Sequence, residues 1–443
     1  MSSATPLDRA RDLVSFIDAA PSPYHAVAEV SGRLAARGFS ELDEREAWQI
    51  EPGARHFVVR AGGTVVAFVA GQRPPSEAGF VVIGAHTDSP NLRVKPAPDI
   101  TASGLRQVGV EVYGGVLWST WLDRDLGIAG RVSLAGGGTR TVRFDRTMCR
   151  IPNVAIHLNR EVNSGGLTLN AQNHLVPLSA LQGKAESTRF SALLAEELGK
   201  TGDATKVEDV LGWDLCLFDM QPAAIGGAMN ELILAPRLDN LASCHAALEA
   251  LEAAGDAGNP TRVIALYDHE EVGSQSAAGA KSRFLRSVLE RVAGAYPKAG
   301  DQAASRAFAR SFLLSADMAH ALHPNYSEKH DKQHAPALGK GPVIKVNANQ
   351  SYATDGPGTG AFEAACREAG FSPQRFVSRN DMPCGSTIGP ISAAAMGMRT
   401  LDVGNPMLSM HSCREMAAVA DVDPMIRAMT VLLSAPALPA PRD

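Results

Sequence analysis

Phe80-Val81-Val82-Ile83-Gly84-Ala85-His86-Thr87-Asp88-Ser89-Pro90 is the stretch on which the fold turns. Four apolar residues in a row read as a strand covered on both faces, as in a parallel sheet layered between helices. The run then changes at once into small and polar residues that carry a histidine and an aspartate. The same change recurs three times. Residues 262–266 run into Tyr267-Asp268-His269-Glu270-Glu271. Residues 312–315 run into Ala316-Asp317-Met318-Ala319-His320. Residues 400–403 run into Gly404-Asn405-Pro406 and then Met410-His411. Four strands thus deliver His, Asp or Glu at their C-terminal ends, the edge of an open α/β sheet where sites form.

Outward from these strands, residues 7–18 and 24–37 have amphipathic helical spacing on either side of the break Pro21-Ser22-Pro23. Residues 57–60 and 64–70 flank Ala61-Gly62-Gly63 and form a hairpin signal. A helix is expected over 238–254 and a further strand over 343–346. Between about 94 and 235 the texture changes to short β-rich segments: 108–113, 130–134, 141–144, 167–169 and 213–218. A helix is expected near 187–199. The fold class expected is α/β, a mixed-sheet domain formed by 1–93 and 236–443, interrupted by an inserted β-rich domain over 94–235. The proline-rich tail after Ser434 is expected to fray.

The 443 residues suit two domains, and 45% hydrophobic with 20% charged residues is ordinary for a globular chain. A net charge of -5 without a basic stripe argues against a nucleic-acid surface. No apolar run approaches the ~18 residues that span a bilayer. The first residues lack the pattern of a secretory signal, and the six cysteines form no CxxC pair, so a cytoplasmic protein with reduced thiols is expected.

Taken singly, a histidine or aspartate beside a strand is more often a hydrogen-bonded or capping residue than a ligand. Glu270-Glu271 differs, because adjacent carboxylates after a buried strand repel unless a cation or proton lies nearby. Asp239, at the start of the expected helix, joins the set. Histidines with several carboxylates suit zinc or another borderline divalent ion. Two ions sharing one carboxylate fit the group: Asp239 bridging, His86 and Asp317 on one ion, Glu271 and His411 on the other. Glu270 is left as general base, and Asp88 is placed to orient the His86 ring; an Asx-turn before Ser89-Pro90 is the other reading of Asp88.

The sequence resembles the aspartyl aminopeptidase family of zinc metallopeptidases, in its bacterial form. The motifs are GAHTDSPNLRVKP (84–96), RIPNVAIHLNREVN (150–163), PRLDNLAS (236–243), DHEEVGS (268–274), SADMAHALHPNY (315–326), GPVIKVNANQSYATD (341–355), NDMPCGSTIGPI (380–391) and MHSCREM (410–416). The resemblance implies a zinc-exopeptidase-like catalytic domain, two zinc ions per subunit that manganese or cobalt can replace, and short peptides with a free N-terminus as substrates. It implies Glu270 as catalytic base and substrate contacts from His157, His320, Lys345 and Tyr352. It also implies a tetrahedral homododecamer, with His157 reaching a neighbour's site and sometimes counted as a metal ligand. A preference for N-terminal Asp or Glu is expected from Lys345, a cation in the apolar run Val343-Ile344-Lys345-Val346 that needs an anion; the other reading has Lys345 bind the peptide carbonyl or a structural carboxylate. Two further functions use the same residues: a carboxypeptidase or N-deacylase with the same metal pair, and a non-catalytic assembly protein.

Overall fold

The computed structural model describes residues 5–182, 189–200, 205–255, 258–297 and 299–436. A nine-stranded mixed sheet runs in the order Ser40–Glu41, Arg55–Arg60, Thr64–Val69, Thr261–Tyr267, Phe80–His86, Phe312–Ala316, Arg399–Gly404, Val343–Val346, Gln374–Val377. The four strands from Thr261–Tyr267 to Arg399–Gly404 are parallel. Thr64–Val69 and Val343–Val346 lie antiparallel to their neighbours on the two sides.

Alternation along each strand divides the core. Val81, Ile83, Ile264, Leu266 and Leu314 face one layer with helices Pro6–Ala19, Pro23–Ala36, Leu238–Ala253, Gly356–Glu368 and Val422–Ser434. Phe80, Val82, Val263, Ala265 and Leu313 face the other, with Phe284–Ala295 and Ala303–Phe308. Because both faces are covered, the parallel strands read as unbroken apolar runs. The first two helices begin as their sequences require: Thr5 and Ser22 cap them, and Pro6 and Pro23 occupy the first turn.

Segments between Asn91 and Asp219 build a separate six-stranded antiparallel sheet, ordered Thr139–Arg143, Leu126–Leu134, Val210–Asp219, Asn91–Ala102, Leu105–Tyr113, Leu178–Leu181. It has its own core, which includes Leu92, Ile128, Phe144, Leu194 and Leu217. A third sheet joins Ala224–Gly226, Leu232–Ala235, Glu415–Ala418, Pro406–Leu408 and Ala319–His320. Leu232–Ala235, read from the sequence as part of the insert, therefore pairs with a strand near the C-terminus.

One local expectation differs from the structure, and the helix expected near 187–199 is present. Residues 167–169 are irregular, not a strand; Leu167 and Leu169 are apolar because they pack on the insert's core. The helix expected over 187–199 is Phe190–Gly199, with 187 and 188 outside the described residues. The twelve-residue strand Asn91–Ala102 escaped the sequence because it carries Pro96 and Pro98. They fall where its pairing with Leu105–Tyr113 shifts register, a place that tolerates a missing N–H. The proline-rich tail lies outside the described residues beyond Pro436.

Candidate metal centre

His86 ends the central strand and is almost wholly buried. Asp317 follows Phe312–Ala316 directly, and its N–H donates to the Val403 carbonyl at 2.9 Å. Asp239 lies in the first turn of Leu238–Ala253, where its backbone leaves helical geometry (φ -83°, ψ 105°). Ser89 donates to its carbonyl at 2.8 Å, and its N–H donates to Glu415 at 3.1 Å. Glu270 and Glu271 open a short turn after His269, which has a left-handed backbone. His411 sits in the loop between the last two strands of the third sheet.

These residues form two triads that share Asp239. His86 Nε2 is 3.5 Å from Asp239 Oδ1 and 3.4 Å from Asp317 Oδ1. His411 Nε2 is 3.4 Å from Asp239 Oδ2 and 3.4 Å from Glu271 Oε2. Within each triad the ligand atoms lie inside 4.8 Å of one another. Both histidines are oriented from behind. His86 Nδ1 donates to the Asp88 carbonyl at 3.0 Å and His411 Nδ1 to the Gly115 carbonyl at 3.0 Å, so both Nε2 atoms face the carboxylates. Two carboxylate oxygens, Asp239 Oδ1 and Glu271 Oε1, are buried without a hydrogen-bond partner among the described residues. Buried oxygens of this kind are costly unless something binds them, and a donor set of imidazole and carboxylate suits zinc.

The electrostatics agree. Burial opposes charge on His86, yet the carboxylates of Asp239, Asp317 and Asp88, 3.4 to 3.5 Å from its ring nitrogens, hold its pKa well above the ordinary value. Burial would raise Asp239, but His411 and His86 hold it far below the usual carboxylate range. Burial, with Asp317, Asp88 and Asp239 around it, pushes Glu270 to about 7. Burial and the Asp239 charge push Glu271 well up and Glu415 to about 8. More carboxylates are gathered here than two imidazoles can neutralise, and a divalent cation is the natural counter-charge.

A cavity of about 410 Å³ opens over the triads. His320, Lys345 and Tyr352 line it with the two histidines, Asp239, Glu270, Glu271 and Asp317, so all of these predicted residues are brought together. Gly385, Ser386 and Thr387 form another wall, where Thr387 caps Ile388–Met396 and is anchored to Asp402 at 2.5 Å. Asp88 lies behind the cavity. Its carboxylate accepts from the N–H of Glu270 and of Glu271, each at 3.1 Å, and from the Tyr113 hydroxyl at 2.6 Å, while its carbonyl orients His86. Lys345 already has an anion: its Nζ lies 3.0 Å from Asp317 Oδ2 and donates to the Met318 carbonyl at 3.2 Å. His157 stands apart, on the exposed turn Ile156–Leu158, and does not line the cavity.

Three supporting residues were missed in the sequence. Glu415 accepts from the N–H of His411 at 2.7 Å as well as from Asp239, so one buried carboxylate ties ligands of both triads. It lies inside a quoted motif but carries no spacing signal. Tyr113 and Gly115 come from the inserted sheet and read as ordinary strand and turn residues.

The aminopeptidase I zinc metalloprotease family (M18) matches residues 16–432 of the chain. A probable M18 family aminopeptidase 2 of Ectopseudomonas mendocina (strain ymp) is 47% identical over 430 residues, covering 96% of this chain and 98% of that protein. Among solved structures, a cryo-EM structure of the Ape4 and Nbr1 complex matches with TM-score 0.93 at 41% identity, over 97% of this chain and 86% of that one. The S. cerevisiae mApe1 dodecamer matches with TM-score 0.82 at 30% identity, over 96% of each chain.

Proposed function

Given a chain that belongs to the aminopeptidase I zinc metalloprotease family (M18), we propose that it removes single residues from the N-termini of short peptides, that it uses two zinc ions per subunit, and that it prefers N-terminal Asp or Glu. The observation that carries the reading is the pair of triads sharing Asp239, each with a histidine Nε2 turned inward. His86, Asp239 and Asp317 would hold one ion, and Asp239, Glu271 and His411 the other. Bound zinc supplies Lewis acidity, polarising the scissile carbonyl and lowering the pKa of water from 15.7 toward about 7. Glu270, on the cavity wall, takes the proton of the attacking water and passes it to the departing amine.

Lys345 holds Asp317 and so keeps a ligand in place. The cations left for an acidic side chain are Lys329 and Arg379 of an adjoining cavity of about 300 Å³, which shares His320 and Tyr352 with the first and adds His323 and His330. They support the acidic preference, and Tyr352 lines both spaces. The assembly proposed is a tetrahedral homododecamer in which His157 enters a neighbour's site. Its support is the dodecameric relative and the exposed turn, where apolar Val154, Ile156 and Leu158 accompany His157. Among the described residues no helix is long and apolar enough to cross a membrane.

The test is a peptide-library digest by zinc-, manganese- and cobalt-loaded protein, with N-acetylated peptides alongside. Loss of N-terminal residues from free peptides only, Asp and Glu first, is expected. Cleavage of acetylated peptides or release from C-termini would assign the same residues to an N-deacylase or a carboxypeptidase, and no hydrolysis by loaded protein would leave an assembly protein.

A further inference from the structure

The second triad leans on the inserted sheet through direct contacts, and the first reaches it only by way of Asp88. Tyr113 ends strand Leu105–Tyr113, and its hydroxyl donates to the Asp88 carboxylate that accepts from the N–H of Glu270 and Glu271. Gly114, at φ +73°, passes so close to the catalytic turn that a Cβ would meet the Cβ of Glu271 at 3.1 Å and its carbonyl at 3.3 Å. A Cβ on Gly115 would lie 3.1 Å from His411 Nδ1, the nitrogen that donates to the Gly115 carbonyl. Two residues on, the Leu117 N–H donates to the His411 carbonyl at 3.1 Å, and Thr120 Oγ1 accepts from the Cys413 N–H at 2.8 Å. Arg93, also of the inserted sheet, lies 3.8 Å over the Tyr113 ring and fixes it from behind. By contrast His86 and Asp317 ride on adjacent central strands, and Asp317 is held by the Val403 carbonyl and by Lys345.

We infer that residues 114–120 form a positioning segment for the second metal position: the central sheet builds the site of His86 and Asp317, and the site of Glu271 and His411 exists only while the inserted sheet is seated against it. Tyr113 stands outside this segment, because the Asp88 it holds serves both positions, accepting from the N–H of Glu271 by its carboxylate and from His86 Nδ1 by its carbonyl. The two ions then load in order, first beside His86 and second beside His411. The inference rests on the two-ion reading above. Losing an outer partner of a metal ligand changes affinity by about 10- to 100-fold, and here that loss falls on one site of the two.

The experiment titrates the full-length, zinc-free protein with Zn²⁺ against a chelating indicator, giving the number of ions per chain and a dissociation constant for each. The wild type is expected to take two ions with unequal constants, and His411→Ala to abolish the weaker site. Gly115→Ala, which presses on His411, should weaken the weaker site by about 10- to 100-fold and leave the tighter one unchanged. Thr120→Val, which removes the acceptor of the Cys413 N–H, should do the same and decides the matter if Gly115→Ala folds poorly. Two ions with both constants unaltered in the variants, or both weakened together, overturn the inference and leave the two-ion reading standing. One ion per wild-type chain would instead end the two-ion reading and this inference with it.

Discussion

Glu270 and Glu271 are neighbours in sequence with different surroundings. Glu271 reaches within 3.4 Å of His411, whereas Glu270 has no ion pair among the described residues and keeps a carboxyl whose pKa burial pushes to about 7. The proposed chemistry uses this difference, one carboxylate to hold an ion and the other to move a proton. Glu270→Gln should bind zinc with unchanged stoichiometry and lose about 10²- to 10⁴-fold in kcat; near-normal turnover in that variant would remove the base assignment. Lys345 is the residue at which structure changes a sequence expectation most. Read from the strand alone, it lacks an anion; in the fold, Asp317 supplies one. Lys345→Met should therefore lower cleavage of acidic and neutral N-termini alike and weaken zinc binding, since Asp317 loses its partner. A loss confined to Asp- and Glu-peptides would return Lys345 to the specificity pocket.

At the scale of single elements, helix Pro23–Ala36 carries a pH dependence of its own. His25 sits in its first turn, where the Ser22 hydroxyl meets its Nδ1 at 2.8 Å. Burial first, and then the positive charges of Arg143 and Arg237, push its pKa down to about 4. The folded chain keeps His25 neutral to about pH 4, while an unfolded chain takes up the proton near pH 6.5. In that window the unfolded state binds more protons, so stability falls as pH drops through it. The loss between pH 7 and pH 5 is on the order of 2 kcal/mol. By urea unfolding, wild type should lose about this much more stability than His25→Gln between pH 7 and pH 5; parallel pH profiles for the two would exclude it.

For the whole molecule, the central sheet ends in His86, Asp317 and the Glu271 turn, helix Leu238–Ala253 brings Asp239 and a loop of the third sheet brings His411, while the inserted segment holds up one side of the site and displays His157 on an exposed turn. If His157 acts in a neighbouring subunit, His157→Ala and Glu270→Gln are each inactive, yet dissociating and reassembling a mixture of the two should restore part of the activity, because some sites receive both intact groups. Light scattering should give twelve chains of 46.6 kDa, about 560 kDa. A monomer with full activity, or a mixture that stays inactive after verified exchange of subunits, would rule out the trans contribution.

The sequence by itself determined the central strands and the residues at their ends. Strands such as Phe80–His86 and Thr261–Tyr267 are buried on both faces and so appear as apolar runs, and a histidine or carboxylate at such a run's end stands out against it. It also marked Asp239 as a ligand candidate. What it could not carry is any fact about which distant segments meet. Tyr113, Gly115 and Glu415 act through single hydrogen bonds and close approach to residues far away in the chain, and such contacts leave no period or spacing behind. The partner of Lys345 is of the same kind, because an ammonium in an apolar strand states that a counter-charge must exist but not whose. Only the tertiary structure decided that Asp317 fills that place, since the strands bearing the two residues flank the same neighbour, Arg399–Gly404, and bring the charges to 3.0 Å.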